Sequence, residues 1–88
     1  MTHYLNIERL AEEQAVENVT KWGLQDPEVI LLAIMEELGE LTQAYLEWTY
    51  EDGDLERIDE ELIDLAALLY QLHWSMRPAW EDQEEAEA

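Results

Sequence analysis

The chain has 88 residues, enough for one domain with a modest core, and carries 23 Asp and Glu against 4 Lys and Arg. A formal net charge of -19 repels nucleic-acid phosphates and anionic membranes, so no nucleic acid and no membrane is expected as a partner. Cysteine is absent, which excludes disulfides and thiolate metal sites; no apolar run reaches membrane length and no charged-then-apolar leader is seen, so a cytoplasmic protein is predicted.

Disorder is not predicted, because 48% of the residues are apolar and four are tryptophan. An acid-covered folded domain points to a halophilic setting, where counterions screen the self-repulsion.

The first helix is predicted from about Tyr4 to Trp22, with Leu5, Leu10, Ala11, Ala15, Val16 and Val19 as a loose apolar stripe. Gly23 is its stop, since glycine tolerates the left-handed backbone after a last turn. Asp26-Pro27-Glu28 is a start signal: a capping residue, a proline for the first helical position, and an acid at the positive end of the dipole. The second helix runs to about Tyr50, and Glu51-Asp52-Gly53-Asp54 forms a turn. A third helix follows from Leu55 to about Met76, where Pro78 disfavours helix at Arg77. Residues 79–88 are expected as an acidic tail beyond a helical domain of residues 1–78.

The expected fold is all-α, an antiparallel hairpin of helices two and three plus the N-terminal helix. From Leu62 to Met76 apolar residues occur on nearly every side of helix three, and a helix apolar all round is buried all round. Three helices hardly enclose it, which predicts assembly into a helical-bundle oligomer.

Most acids in so acidic a chain read as solvated surface. Glu37 differs. At 3.6 residues per turn it shares a side with Ile30, Ala33, Ile34, Leu41, Ala44 and Trp48, with Glu40 beside it one turn on. A carboxylate on such a stripe is costly unless it is paired or binds metal. Glu36 and Glu47 fall on the polar side with Gln43. On helix three, Glu61 and Asp64 share a face, three residues apart, with Arg57 a turn below. Folding the hairpin about Asp52-Gly53 places Glu40 nearly level with Asp64, flanked by Glu37 and Glu61. One guanidinium does not balance four anions, and oxygen-only ligands suit Mg²⁺, Mn²⁺ or Ca²⁺. The plainer alternative is a structural cluster, partly protonated or paired with Arg57 and a cation from a partner chain.

Glu36-Glu37-Leu38-Gly39-Glu40-Leu41, followed by Glu61-Leu62-Ile63-Asp64, resembles the MazG-like all-α nucleoside triphosphate pyrophosphohydrolases, best from about Pro27 to Trp74. The resemblance implies Mg²⁺-dependent cleavage between the α and β phosphates of a nucleoside triphosphate, giving a monophosphate and pyrophosphate. It implies Glu37, Glu40, Glu61 and Asp64 as metal ligands, with Mn²⁺ as a substitute cation, and Glu36 as a general base or supporting group. It also implies a homodimer or homotetramer. Lys21, Arg57 or Arg77 are the candidates for phosphate contacts. Trp22, Tyr45, Trp48 and Tyr70 are available for base stacking, with Trp48 one residue from the position where some relatives carry a stacking tryptophan. The basic or Asn-bearing segment that many relatives carry past the second motif is replaced here by Arg77-Pro78 and acids.

Two other readings compete. Phosphoribosyl-ATP pyrophosphohydrolysis shares the hairpin and carboxylates, and Leu68-Leu69-Tyr70 is reminiscent of it, but Ile34-Met35 stands where a lysine often precedes that family's first motif. A non-catalytic helical module that binds a nucleotide or a protein is the other. A calcium loop starting at Asp52 is excluded, because it needs Gly at position 57 and Glu at 63, where Arg57 and Ile63 stand.

Overall fold

The computed structural model describes residues 6–87. Four helices account for most of them: α1 (Ile7–Trp22), α2 (Pro27–Tyr50), α3 (Leu55–Ser75) and α4 (Arg77–Glu87). No strand occurs among the described residues, so the all-α expectation holds. The expected start of the first helix at Tyr4 lies outside the described residues. No described helix is long and apolar enough to cross a membrane.

The helix boundaries follow local chemistry. Gly23 closes α1 at φ 79°, ψ 165°, a positive-φ backbone that side-chain-bearing residues rarely adopt, and its N–H donates to the Val19 carbonyl at 2.8 Å. Pro27 opens α2 as expected, but the Asp26 carboxylate makes no capping hydrogen bond. The Asp26 backbone carbonyl accepts instead, from Val29 at 3.0 Å and Ile30 at 3.1 Å. The side-chain cap falls on α3, where Asp54 accepts from the Glu56 N–H at 3.0 Å.

The turn between α2 and α3 folds back more tightly than an Asp-Gly turn centred on its glycine. Asp52 takes the positive φ, at 56°. Gly53 is needed for a different reason: a Cβ there would lie 2.7 Å from the Glu47 carbonyl carbon and 2.8 Å from the Trp48 nitrogen. Its N–H donates to the Glu47 carbonyl at 2.9 Å. At the far end of the hairpin, Ser75 donates to the Gln25 carbonyl at 2.8 Å. The Gly53 bond closes the end of α2, and Arg57 of α3 reaches back across the turn to Glu47 at 2.7 Å.

The central helix is α3. It packs against α2 on one side and α1 on the other, while the backbones of α1 and α2 stay apart. Because the Asn18 amide donates to Gln71 and the loop after α1 meets Ser75, α1 runs parallel to α3. Ala11 and Ala15 on α1 and Ala67 on α3 are fully buried, small enough to let the helices approach closely. On α2, Ile30 and Ala44 are buried, and Ile30 is the only large side chain among them. A chain of Gln14 to Asn18 to Gln71, each link 2.9 Å, crosses the α1–α3 interface, and Gln71 is 5% exposed.

This core is thin. The radius of gyration is 15.6 Å and the long axis 55 Å, against about 12 Å expected for a compact chain of this length. Within the single chain α3 is covered at Ala67 and Gln71, while Leu69 is 53% exposed.

The segment expected as an acidic tail is helical. Met76 interrupts the backbone and α4 continues from Arg77. Pro78 removes only an N–H that a first helical turn leaves without an intrahelical partner, so it breaks one helix and is compatible with starting another. Every residue of α4 is exposed.

Two outcomes follow for stability. Gly53→Ala should destabilise the fold by about 1–3 kcal/mol, and an unchanged thermal melt would show that the turn relaxes freely. Asn18→Ala leaves the buried Gln71 oxygen without its donor and should lower stability by about 1–3 kcal/mol. Adding Gln71→Leu to that variant should recover part of the loss; no recovery would mean the polar chain is not what Asn18 contributes.

Candidate metal centre

The packing of α3 against α2 brings acids of both helices together. One carboxylate oxygen from each of Glu37, Glu61 and Asp64 lies within 4.8 Å of the others, and all three residues are half-buried. One oxygen each of Glu37 and Glu61, both Oε2, is shut off from solvent and receives no hydrogen bond from a backbone N–H or a basic or amide side chain.

Burial raises the pKa of Glu37 to about 8, with help from a hydrogen bond to Glu61 and from the charges of Glu40, Glu61 and Asp64. Without a cation, the cluster relieves its repulsion by keeping a proton on Glu37, which then donates to Glu61. Asp64 is also raised, first by burial, then by the charges of Glu40 and Glu60. On its α1 side, Asp64 lines a groove with Leu10, Glu13, Gln14, Glu17, Glu60 and Ile63. Sequence reading missed these α1 acids because their helix precedes the motif; the i, i+4 spacing of Glu13 and Glu17 was the available signal.

Glu40 does not join the triple. It is exposed, yet near enough for its charge to act on both Glu37 and Asp64. The expected nearness of Glu40 to Asp64 shows in that charge effect, although Glu40 lies outside the group of three converging carboxylates. Glu36 is exposed and is not among the groups that act on Glu37.

The candidate phosphate contacts sit apart from the triple. Arg57 Nη1 binds Glu47 at 2.7 Å, so the cluster is not neutralised by it. Glu47 also accepts from Gln43 at 3.0 Å. Lys21 lies over the Trp22 ring, 5.3 Å from its centroid. One turn beyond Asn18, Lys21 is level with Trp74, about 15 Å along α3 from Asp64. Arg9 pairs with Glu13 at 4.0 Å and Arg77 with Glu81 at 3.4 Å. Each of the four basic side chains is therefore engaged elsewhere. Trp48 is 44% exposed, with its ring 6.1 Å from that of Tyr45; His73 is exposed on α3, beyond the carboxylates.

The donor set fits a hard divalent cation: three carboxylates from two facing helices, two of their oxygens buried without a donor, and no nitrogen or sulfur ligand. No protein-family model, curated protein or solved structure matches the chain.

In the metal-free protein, Glu37 holds its proton in the folded state up to about pH 8, against 4.5 for the ordinary carboxyl. A raised folded pKa gives stability that is full below the unfolded value and is lost as pH rises through the folded value. Thermal stability should therefore fall between pH 4.5 and 8, and Glu37→Gln should flatten that fall. Mg²⁺ should raise the melting temperature more at the upper end of this window, because binding displaces the proton. An equal Mg²⁺ effect at both ends would exclude Glu37 as a ligand.

Proposed function

We propose that this chain is an Mg²⁺-dependent nucleoside triphosphate pyrophosphohydrolase, a hydrolase acting on acid anhydrides, of the MazG-like kind. The observation that carries the reading is the convergence of Glu37, Glu61 and Asp64, with Glu37 Oε2 and Glu61 Oε2 buried and lacking donors. These are three of the four residues that the motif resemblance points to, drawn from both of its halves. Such a cluster is strongly self-repelling without a counter-charge.

In this reading Glu37, Glu61 and Asp64 hold the cation, and Glu40 stands at the rim, exposed and within electrostatic reach. When bound, Mg²⁺, or Mn²⁺ in its place, supplies charge neutralisation at phosphate oxygens and a water of lowered pKa. The half-burial of the three carboxylates strengthens their hold on a cation by excluding competing water. Glu40, exposed and within electrostatic reach of both Glu37 and Asp64, is better placed than Glu36 to accept a proton at the edge of the site. The substrate class is a nucleoside triphosphate, and the role is nucleotide-pool housekeeping. The engagement of every basic side chain elsewhere favours one second reading, a helical module that binds a nucleotide or protein without cleaving it.

Product analysis with Mg²⁺ in molar KCl over the common ribo- and deoxyribonucleoside triphosphates separates the two. Monophosphate and pyrophosphate are expected, with Glu37→Gln and Asp64→Asn each slowing release by about 100-fold or more while remaining helical. A folded wild type that cleaves none of them, and does not cleave phosphoribosyl-ATP either, would overturn the enzyme reading in favour of the binding module.

A further inference from the structure

The elbow at Met76 leaves a groove between the end of α3 and the start of α4. His73, Trp74, Arg77, Trp80, Glu81 and Glu84 line it, around a cavity of about 530 Å³, within the range of about 300–1,000 Å³ that small ligands occupy. Trp80 is the one large apolar side chain of α4, and it is 57% exposed. With more than half of its surface in water, this indole does little to seat α4 on the core. Trp74 is half-buried, its ring 6.1 Å from that of Tyr70. Among the described residues Trp80 makes no ring contact, and the basic side chain that lies over an indole is Lys21, at Trp22. The indoles of the groove therefore have no cation of their own. Arg77, Glu81 and Glu84 follow one another along a single face of α4. Arg77 pairs with Glu81 at 3.4 Å, and among the described residues no basic side chain reaches Glu84. Asp82, Glu85 and Glu87 complete a helix with five acids against one arginine.

We propose that this groove binds a small organic cation of the quaternary ammonium class, held by the indoles of Trp74 and Trp80 with Glu84 as its counter-ion. The negative face of an aromatic ring attracts a cation, and tryptophan does so best of the side chains. Charge excludes the converse ligand. An anion meets Glu84 and the field of a chain of net charge -19, and Arg77 is already matched by Glu81. The methylated head follows from the polar inventory of the walls. A primary ammonium brings three N–H donors that need acceptors once they leave water, and the α3 wall offers an indole and an imidazole. A quaternary head has no donor to satisfy and buries methyl groups against the rings. Hard inorganic ions hold their water and go to clustered carboxylates instead. His73, the lining residue nearest in sequence to the metal cluster, stands about 14 Å along α3 from Asp64. The groove is a separate site, and the proposal is independent of the hydrolase reading.

The four tryptophans give four indole N–H signals in a heteronuclear NMR spectrum, and Trp74→Phe and Trp80→Phe assign two of them by deletion. Choline chloride, replacing KCl at constant ionic strength, should shift the Trp74 and Trp80 signals saturably and leave those of Trp22 and Trp48 in place. Half-saturation is expected at about 1–10 mM. Dimethylbutanol, the uncharged isostere of choline, should bind about tenfold more weakly or worse. Trp80→Ala and Glu84→Gln should each weaken choline binding by about fivefold or more, with helical circular dichroism retained because both side chains are exposed. Equal binding of the isostere would make the groove a plain apolar cleft and overturn the proposal. So would choline shifts spread evenly over all four indoles, a Glu84→Gln variant that binds as the wild type does, or a nucleoside triphosphate that moves the Trp74 and Trp80 signals at lower concentration than choline.

Discussion

The turn at Gly53 is the constraint on which the carboxylate cluster depends. Without a side chain, Gly53 lies against the Glu47 carbonyl and the Trp48 nitrogen. That contact closes the end of α2 and lets α3 turn back along it. Each residue of slip moves a side chain about 1.5 Å along the axis and 100° around it, so the turn geometry bears on which acids face each other. In the alignment adopted, Glu37, Glu61 and Asp64 converge, and Glu40 stays close enough for its charge to act on two of them.

The assembled cluster is in electrostatic tension. Burial and three neighbouring acids push Glu37 toward its neutral form, and the only guanidinium on the hairpin is bound to Glu47. Structural ion networks normally place a cation among their anions. Here that cation is missing from the protein side, so proton and divalent ion compete for the same oxygens. The surrounding surface reinforces the preference, since Glu13, Glu17 and Glu60 line the groove beside Asp64.

The fold was largely legible in the sequence because helix signals are local. Gly23, Pro27 and the turn near Gly53 mark boundaries that the structure keeps within a residue or so, and the wheel position of Glu37 correctly placed it on the packed face. Legibility ended where long-range geometry began. How far each side chain is sheltered depends on the facing helix, which spacing alone does not encode, and so Glu40 was expected inside and lies exposed at the rim. Gln71 was hidden among Leu68, Leu69, Tyr70 and Leu72, its partner Asn18 being 53 residues away. The Arg77-Pro78 step was read as an end, although the same proline suits a beginning.

The arrangement of α1 and α2 on opposite sides of α3 also bears on how the molecule comes apart. Each outer helix holds only the central one, so cohesion is a sum of two separate seams and not one shared core, as in stacked-repeat proteins. The α1 seam is built from alanines and a single polar chain, while the α2 seam has a covalent turn at one end and the Ser75–Gln25 bond at the other. Lifting α1 away as a unit would leave the hairpin and its turn in place. Asp64, which lines the groove on the α1 side, is the member of the cluster that such an opening would reach.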